Sequence, residues 1–255
     1  MVVNKENNMN CIILAAGYAT RLYPLTIDNP KPLLKVKDKT ILDWLVDDIE
    51  NSGEIDKYIV VSNHKFAQNF EVWAQSKSIS DRIIVVDDGT TTNETRLGAV
   101  ADILFAQKKL DLNGDLMVIA GDNVLDFSLC RFIEYFKNKN ASCIMRYYEE
   151  SYERCKKSAV LEFDADDVVT SMEEKPEIPK TQWLAPPFYI YTKEDAKKIE
   201  IALERGCGKD APGSFAAWLS SQTTVCAMEM PGKRYDIGTV ESYEKVQNEY
   251  DGIKK

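Results

Sequence analysis

An α/β fold built on a mostly parallel sheet is the class this sequence predicts, and three observations predict it. Four apolar runs of strand length, at 11–16, 58–61, 83–86 and 116–120, alternate with stretches of helical periodicity. The runs lack inside–outside alternation, which marks strands covered by helices on both faces. Beyond about residue 140 the pattern changes to short strands and a tight hairpin, so a small β subregion is expected on the same sheet.

The elements follow in order. The run 11–16 is the first strand; it breaks at Gly17 into the small-residue turn Gly17-Tyr18-Ala19-Thr20, and the first cation after it is Arg21. Lys31 stands between Pro30 and Pro32. Each proline fixes its own φ and biases the preceding residue away from helix, so Lys31 is expected on a stiff extended segment. Thr40 with Asp43 three residues on reads as a helix start, and the helix through Ile41, Leu42, Leu45, Val46 and Ile49 stops at Gly53. The second strand, 58–61, leads to a helix through Phe66, Phe70, Val72 and Trp73, and 83–86 is the third strand. Asp87-Asp88-Gly89 is a turn; the polar stretch 90–96 then enters Leu97-Gly98-Ala99, which continues as a helix towards Leu110. The fourth strand, 116–120, ends at Gly121-Asp122-Asn123.

A helix over 128–137 precedes strands at 142–147, 159–163 and 168–173. The turn 164–167 makes the last two a hairpin, closed by Glu173-Glu174-Lys175-Pro176. A strand at 188–191, a helix over 194–205 ended by Gly206, and a helix opened by Pro212-Gly213-Ser214 follow. A strand at 224–228, a turn at 235–238 around Asp236, and a closing helix at 240–250 complete the chain. In open α/β sheets ligands bind beyond the carboxyl ends of the strands. Arg21, Gly98 and Asp122 all fall there.

Bulk properties narrow the class of partner. The 255 residues are 44% hydrophobic and 29% charged, with a formal net charge of −9. An acidic chain without a basic face argues against nucleic acid or an anionic membrane as partner, whereas a small anionic substrate needs only a few local cations. The six cysteines form no C-x-x-C pair and several lie in apolar runs, so reduced core thiols are expected rather than disulfides or zinc. A polar lead over 1–9 without an apolar signal core, and the lack of any membrane-length run, predict a soluble cytoplasmic protein. The remainder, 10–255, reads as a single domain whose second half, from about 141, adds the β subregion to the first.

The residues just listed carry a resemblance. Leu14-Ala15-Ala16-Gly17, then Thr20-Arg21-Leu22, then Pro30-Lys31-Pro32-Leu33-Leu34 resemble in order and spacing the N-terminal signature of the sugar-1-phosphate nucleotidyltransferases, or sugar-nucleotide pyrophosphorylases, such as the glucose-1-phosphate thymidylyltransferases. The likeness extends from Ile12 to about Tyr243. It implies a Rossmann-like three-layer sandwich of the nucleotide-diphospho-sugar transferase type. It also implies transfer of a nucleotidyl group from a nucleoside triphosphate to a sugar 1-phosphate, with Mg²⁺ as cofactor. By the same resemblance Arg21 and Lys31 are catalytic, and Leu14, Ala15, Ala16, Gly17, Gly98 and Asp122 bind the nucleotide. Glu174 and Lys175 bind the acceptor, and Asp122 and Asp236 hold the metal. His64, the one histidine, is given no role.

Three departures from the family pattern bear on the acceptor and the phosphate loop. Ala19 replaces a glycine, Ser158-Ala159 replaces an aromatic and a glycine, and Ala185-Pro186-Pro187-Phe188 replaces an asparagine- and glycine-containing segment. They leave a second reading open: a cytidylyltransferase for phosphocholine or an aminophosphonate, with Trp183, Phe188, Tyr189 and Tyr191 as an aromatic cage. A nucleotide-sugar glycosyltransferase and a non-catalytic nucleotide-binding regulator are weaker alternatives. The base, the acceptor and assembly into homo-oligomers stay open at this point.

Overall fold

The computed structural model describes residues 9–254. Most of the lead expected over 1–9 lies outside them; its last residue, Met9, opens a strand. Ten strands form one mixed sheet among the described residues. They are β1 (Met9–Leu14), β2 (Ile55–Ser62), β3 (Ile83–Asp87), β4 (Asp115–Ala120), β5 (Ser142–Tyr148), β6 (Ala159–Phe163), β7 (Val169–Glu174), β8 (Trp183–Ala185), β9 (Phe188–Tyr191) and β10 (Val225–Glu229). Their order across the sheet is β7-β6-β8-β5-β9-β4-β1-β2-β3, with β10 also on β5. β4, β1, β2 and β3 are parallel neighbours. β9 is inserted antiparallel between β4 and β5, and β10 runs parallel to β5. The β6–β7 hairpin is antiparallel, as its turn sequence predicts.

The apolar runs are explained by burial on two sides. Successive side chains of a strand point to opposite faces, so Cys11 and Ile13 join one core while Ile12 joins the other. Helices α1 (Ile41–Glu50) and α2 (Ala67–Gln75) feed the first core, and α3 (Ala99–Leu110) feeds the second. α4 (Cys130–Lys139) returns to the first face, α5 (Gly213–Ser220) to the second, and α6 (Val240–Glu249) to the first. This is the expected three-layer arrangement. Each fully buried Ile or Leu in these layers contributes about 1.5–3 kcal/mol. The start of α1 is the capping box that its sequence implies: the Thr40 hydroxyl accepts the Asp43 N–H at 3.0 Å, and the Asp43 carboxylate accepts the Thr40 N–H at 3.1 Å.

Four local expectations are corrected. β1 begins two residues early and ends at Leu14; Ala15 still bonds to Val61 (N to O 2.9 Å), and the loop from Ala16 hangs free of the sheet. Lys31 is not extended. It opens a 3-10 turn, Lys31–Leu33, in which the Pro30 carbonyl accepts from Leu33 at 2.9 Å, and Pro32 fits because its missing N–H lies in the first turn, where no helical partner exists. The expected turn at 235–238 begins instead as a strand, Arg234–Asp236, which pairs antiparallel with Asn123–Leu125. The helix expected over 194–205 is two short ones, Lys193–Ala196 and Ile199–Glu204.

Candidate active site

A cleft of about 600 Å³ opens beyond the carboxyl ends of β1 and β4. Its walls include Leu14, Ala15, Ala16, Gly17, Arg21 and Lys31 from the N-terminal stretch, and Gly98, Asp102 and Asp122 from later loops and α3. Lys175 enters from the end of β7, and Ile237 and Gly238 follow Asp236. Distant parts of the sequence thus meet where the topology of a parallel sheet places ligands.

The loop after β1 is held from behind and open in front. The Asn63 amide donates to the Ala16 carbonyl at 2.9 Å, and the Tyr18 hydroxyl donates to the Thr90 carbonyl at 3.3 Å. The N–H groups of residues 16–19 make no hydrogen bond among the described residues. Ala19 takes the left-handed conformation, φ 47°, that a glycine would adopt without strain. Its carbonyl accepts from the Thr26 hydroxyl at 2.9 Å and from Leu22 N–H at 3.0 Å, which holds it there.

The charges are unequally engaged. Lys31 is buried, and its ammonium lies 2.8 Å from Asp122 Oδ2. Burial pushes the Asp122 carboxyl up, but Lys31 outweighs it and holds the group below the usual carboxylate range. Asp122 Oδ1 also accepts from the Asn123 amide, whose oxygen accepts from Arg234 at 2.9 Å. Asp236 pairs in register with Asn123, so the strand pair that overturns the expected turn sets Asp236 across from the residue that follows Asp122. Asp236 makes no hydrogen bond through its carboxylate among the described residues. Arg21 and Lys175 are exposed cations without an ion pair among the described residues.

Gly98 marks a close approach. It has φ 100°, and a Cβ built on it would lie 2.6 Å from the Lys209 carbonyl oxygen. The N–H groups of Ala99 and Val100 donate to Asp210 and Lys209, and Arg96 pairs with Asp210 at 2.8 Å. The start of α3 is therefore strapped to the segment before α5. On the other wall, Glu174 fills the space that a side chain at Gly213 would take; a Cβ there would meet Glu174 Oε2 and lie 3.1 Å from Ala159 Cβ. Burial pushes the Glu174 carboxyl up, with Lys175 pulling against it.

Asp102, one turn along α3 from Gly98, is buried at 6% exposure and lines the cleft. Burial first, and the charge of Asp88 second, push its carboxyl up to about 7. The unfolded chain ionises this group near 4 while the folded one keeps the proton. Its contribution to stability is therefore full below pH 4, falls as the pH rises, and is lost above 7. Chemical denaturation across this range should show Asp102→Asn gaining on the parent as pH rises from 4 to 7, by up to about 4 kcal/mol. A difference that does not change with pH would mean Asp102 ionises normally in the fold.

Residues 10–252 match the model of the family described as nucleotidyl transferase. The chain belongs to the nucleotidyl transferase family. Among relatives of this family member is a Sulfolobus acidocaldarius protein provisionally named a mannose-1-phosphate guanyltransferase. It is 26% identical over 247 residues, which are 96% of this chain and 64% of the relative. The chain thus spans under two thirds of that relative's length. Among solved structures, a Bacillus anthracis protein provisionally named a glucose-1-phosphate thymidylyltransferase, in complex with a sucrose, superposes with TM-score 0.76 at 20% identity, over 94% of each chain. A UDP-glucose pyrophosphorylase complexed with UDP-glucose superposes with TM-score 0.77 at 22% identity, over 95% of this chain and 98% of that one. These likenesses establish the fold of the nucleotidyl transferase.

Measured against the residues singled out by sequence, Leu14 to Gly17, Arg21, Lys31, Gly98, Asp122 and Lys175 share the cleft wall. Glu174 and Asp236 do not line it; each stands next in sequence to a residue that does, Lys175 and Ile237. His64 lies outside, with Nδ1 2.6 Å from Asp87. The aromatic cage is overturned. Phe188, Tyr189 and Tyr191 are buried, and period 2 sends Phe188 to one core and both tyrosines to the other; Trp183 packs edge-on against Tyr148 and Phe163. Sequence reasoning passed over Asp102, Gly213 and Arg234. Arg234 stands two residues before Asp236, which was the available signal. No helix among the described residues is long and apolar enough to cross a membrane.

Proposed function

We propose that the chain is a nucleotidyltransferase that joins a nucleoside triphosphate to a sugar 1-phosphate, releasing pyrophosphate and forming a nucleotide sugar. The observation that carries the reading is one cleft lined by open backbone donors and by Arg21 and Lys175, two cations without ion pairs among the described residues, suited to two phosphates that repel each other. Family membership, and the substrates in the names of the relative and the structural neighbours, agree with it.

The chemistry needs no covalent intermediate. A sugar phosphate is largely dianionic near neutral pH, since its second pKa is about 6. Its oxygen attacks the α-phosphorus in line; the new P–O bond forms as the bond to pyrophosphate breaks, and pyrophosphate leaves with that electron pair. Residues 16–19 and Arg21 hold the triphosphate, and Lys31 meets its charge beside Asp122. Lys175 neutralises the acceptor phosphate, and Glu174 accepts from sugar hydroxyls. Asp122 and Asp236 would hold a Mg²⁺ ion, being hard oxygen donors just before one strand and at the end of the strand paired with it, of which Asp236 has no other partner among the described residues. Bound there, Mg²⁺ would neutralise phosphate oxygens of the nucleotide.

The deciding experiment is pyrophosphate release from a panel of triphosphates against sugar 1-phosphates, phosphocholine and aminoethylphosphonate. Release with a sugar 1-phosphate supports the reading. Release only with CTP and an amino-alcohol phosphate replaces it, and no release with any pair favours a regulator. Within the reading, Gly213→Ala should displace Glu174 and raise KM for the sugar phosphate roughly tenfold, the worth of one hydrogen bond to a charged group. KM for the triphosphate should stay as it was; an equal rise in both would detach Glu174 from the acceptor.

A further inference from the structure

We propose that Asp102 selects the base of the nucleotide, and that its carboxylate accepts from the adjacent N–H donors of guanine. The inference rests on the nucleotide-binding reading above and names the base that this cleft prefers.

Three observations converge on it. The first is position. Asp102 donates its backbone N–H to the Gly98 carbonyl at 2.8 Å, so the two residues lie on the same face of α3. That face lines the cleft together with Leu14 and Ala15 at the end of β1. A triphosphate held along residues 16–19 and Arg21 leaves this end for its base.

The second is an unanswered acceptor. Asp102 is buried, its Oδ1 is sealed from solvent without a hydrogen-bond partner, and no cation pairs with the carboxyl among the described residues. Buried polar groups in folded proteins are nearly always hydrogen-bonded, and a buried acid alone is costly. Asp102 stands in the first turn of α3, yet its side chain caps no N–H there and bridges no strands. An acid left this way on a cleft wall is explained by a donor that arrives with the ligand.

The third is a neighbour of the same kind. Asp88, just beyond β3, is also buried; its Oδ1 accepts from Thr90 N–H and Oγ1 at 2.7 Å, while its Oδ2 has no partner. Asp88 lies close enough for its charge to help raise the Asp102 carboxyl. Asp88 is not on the cleft wall, but it leaves Asp102 beside a second acid with an oxygen that no group of the fold answers. Guanine presents N1–H and N2–H₂ side by side on one edge, two parallel donors for the two oxygens of a carboxylate, so its binding turns the sealed Oδ1 into the cleft and releases the Asp102 proton to solvent. Uracil and thymine offer a single N3–H between two carbonyl oxygens that would face the acid with like partial charge. Cytosine and adenine offer one amino group beside a ring nitrogen acceptor.

The test is equilibrium binding of GTP, CTP, ATP, UTP, dTTP and xanthosine triphosphate to the full chain by calorimetry, alongside pyrophosphate release with the same set. The parent protein should bind GTP tightest, ahead of UTP and dTTP by roughly tenfold to a hundredfold, the discrimination of one bidentate base contact. Asp102→Ala should erase that preference with the fold intact, because it removes an unpaired buried acid. Asp102→Asn should gain affinity for xanthosine triphosphate, whose C2 carbonyl accepts from the new amide; a merely structural role would not produce this. A parent that prefers UTP or dTTP, or a ranking unchanged in both variants, overturns the proposal. Selective GTP binding without pyrophosphate release from any acceptor would refute the transfer reading and leave the base assignment standing. Release from all bases alike would do the reverse, and no binding of any nucleotide would remove both.

Discussion

Arg21→Ala is expected to lower kcat/KM for nucleotidyl transfer by about two to three orders of magnitude, the usual loss when one preorganised donor to transition-state charge is removed. The structure makes this a clean experiment. Arg21 is exposed on the short 3-10 turn Thr20–Leu22, and its guanidinium has no ion pair among the described residues, so the fold does not depend on it. The melting temperature should therefore be unchanged while pyrophosphate release falls. Arg21→Lys should recover only part of the loss, because an ammonium lacks the planar fork that meets two phosphate oxygens at once. Near-parental turnover in Arg21→Ala would show that the triphosphate lies elsewhere.

Asp122→Asn and Asp236→Asn form the second pair, each expected to reduce turnover by roughly a hundredfold to a thousandfold and to shift the Mg²⁺ titration to higher concentration. Stability separates them. Asp122 is the partner of a buried lysine, and neutralising it leaves the Lys31 ammonium uncompensated. Asp122→Asn should therefore melt lower than the parent, and Asp236→Asn should not. If the two lose activity but the Mg²⁺ dependence stays put, the aspartates act by position alone. If Asp236→Asn keeps full activity, the metal pair is wrong.

Much of the fold was legible because two-sided burial writes itself into sequence as unbroken apolar runs. β1 to β4 announce themselves this way, and Thr40 and Asp43 announce α1. The three-residue strands did not. β8 is followed by Pro186-Pro187, and Arg234–Asp236 gains its pairing from Asn123–Leu125, more than a hundred residues earlier in the chain; neither has a local period long enough to read. At Lys31 the bias set by a following proline is weaker than the hydrogen bonds of one tight turn. In the site, Arg21 and Asp122 were visible because strand ends are where sequence and ligand position coincide. Asp102 was not, since an acid in the first turn of a helix ordinarily serves the helix dipole in solvent. Gly213 shows in the sequence only as a helix opener, because the carboxylate that occupies its missing side chain's space comes from another part of the chain.

The insertion of β9 between β4 and β5 has a mechanical consequence. A strand from the second half is stitched by backbone hydrogen bonds to β4, the outermost parallel strand of the first, so the two walls of the cleft share a single plate and cannot swing apart like jaws. Substrates of different size must be accommodated by the loops above that plate, and a chain cut near residue 140 would leave two fragments with raw sheet edges that regain their shape only on each other.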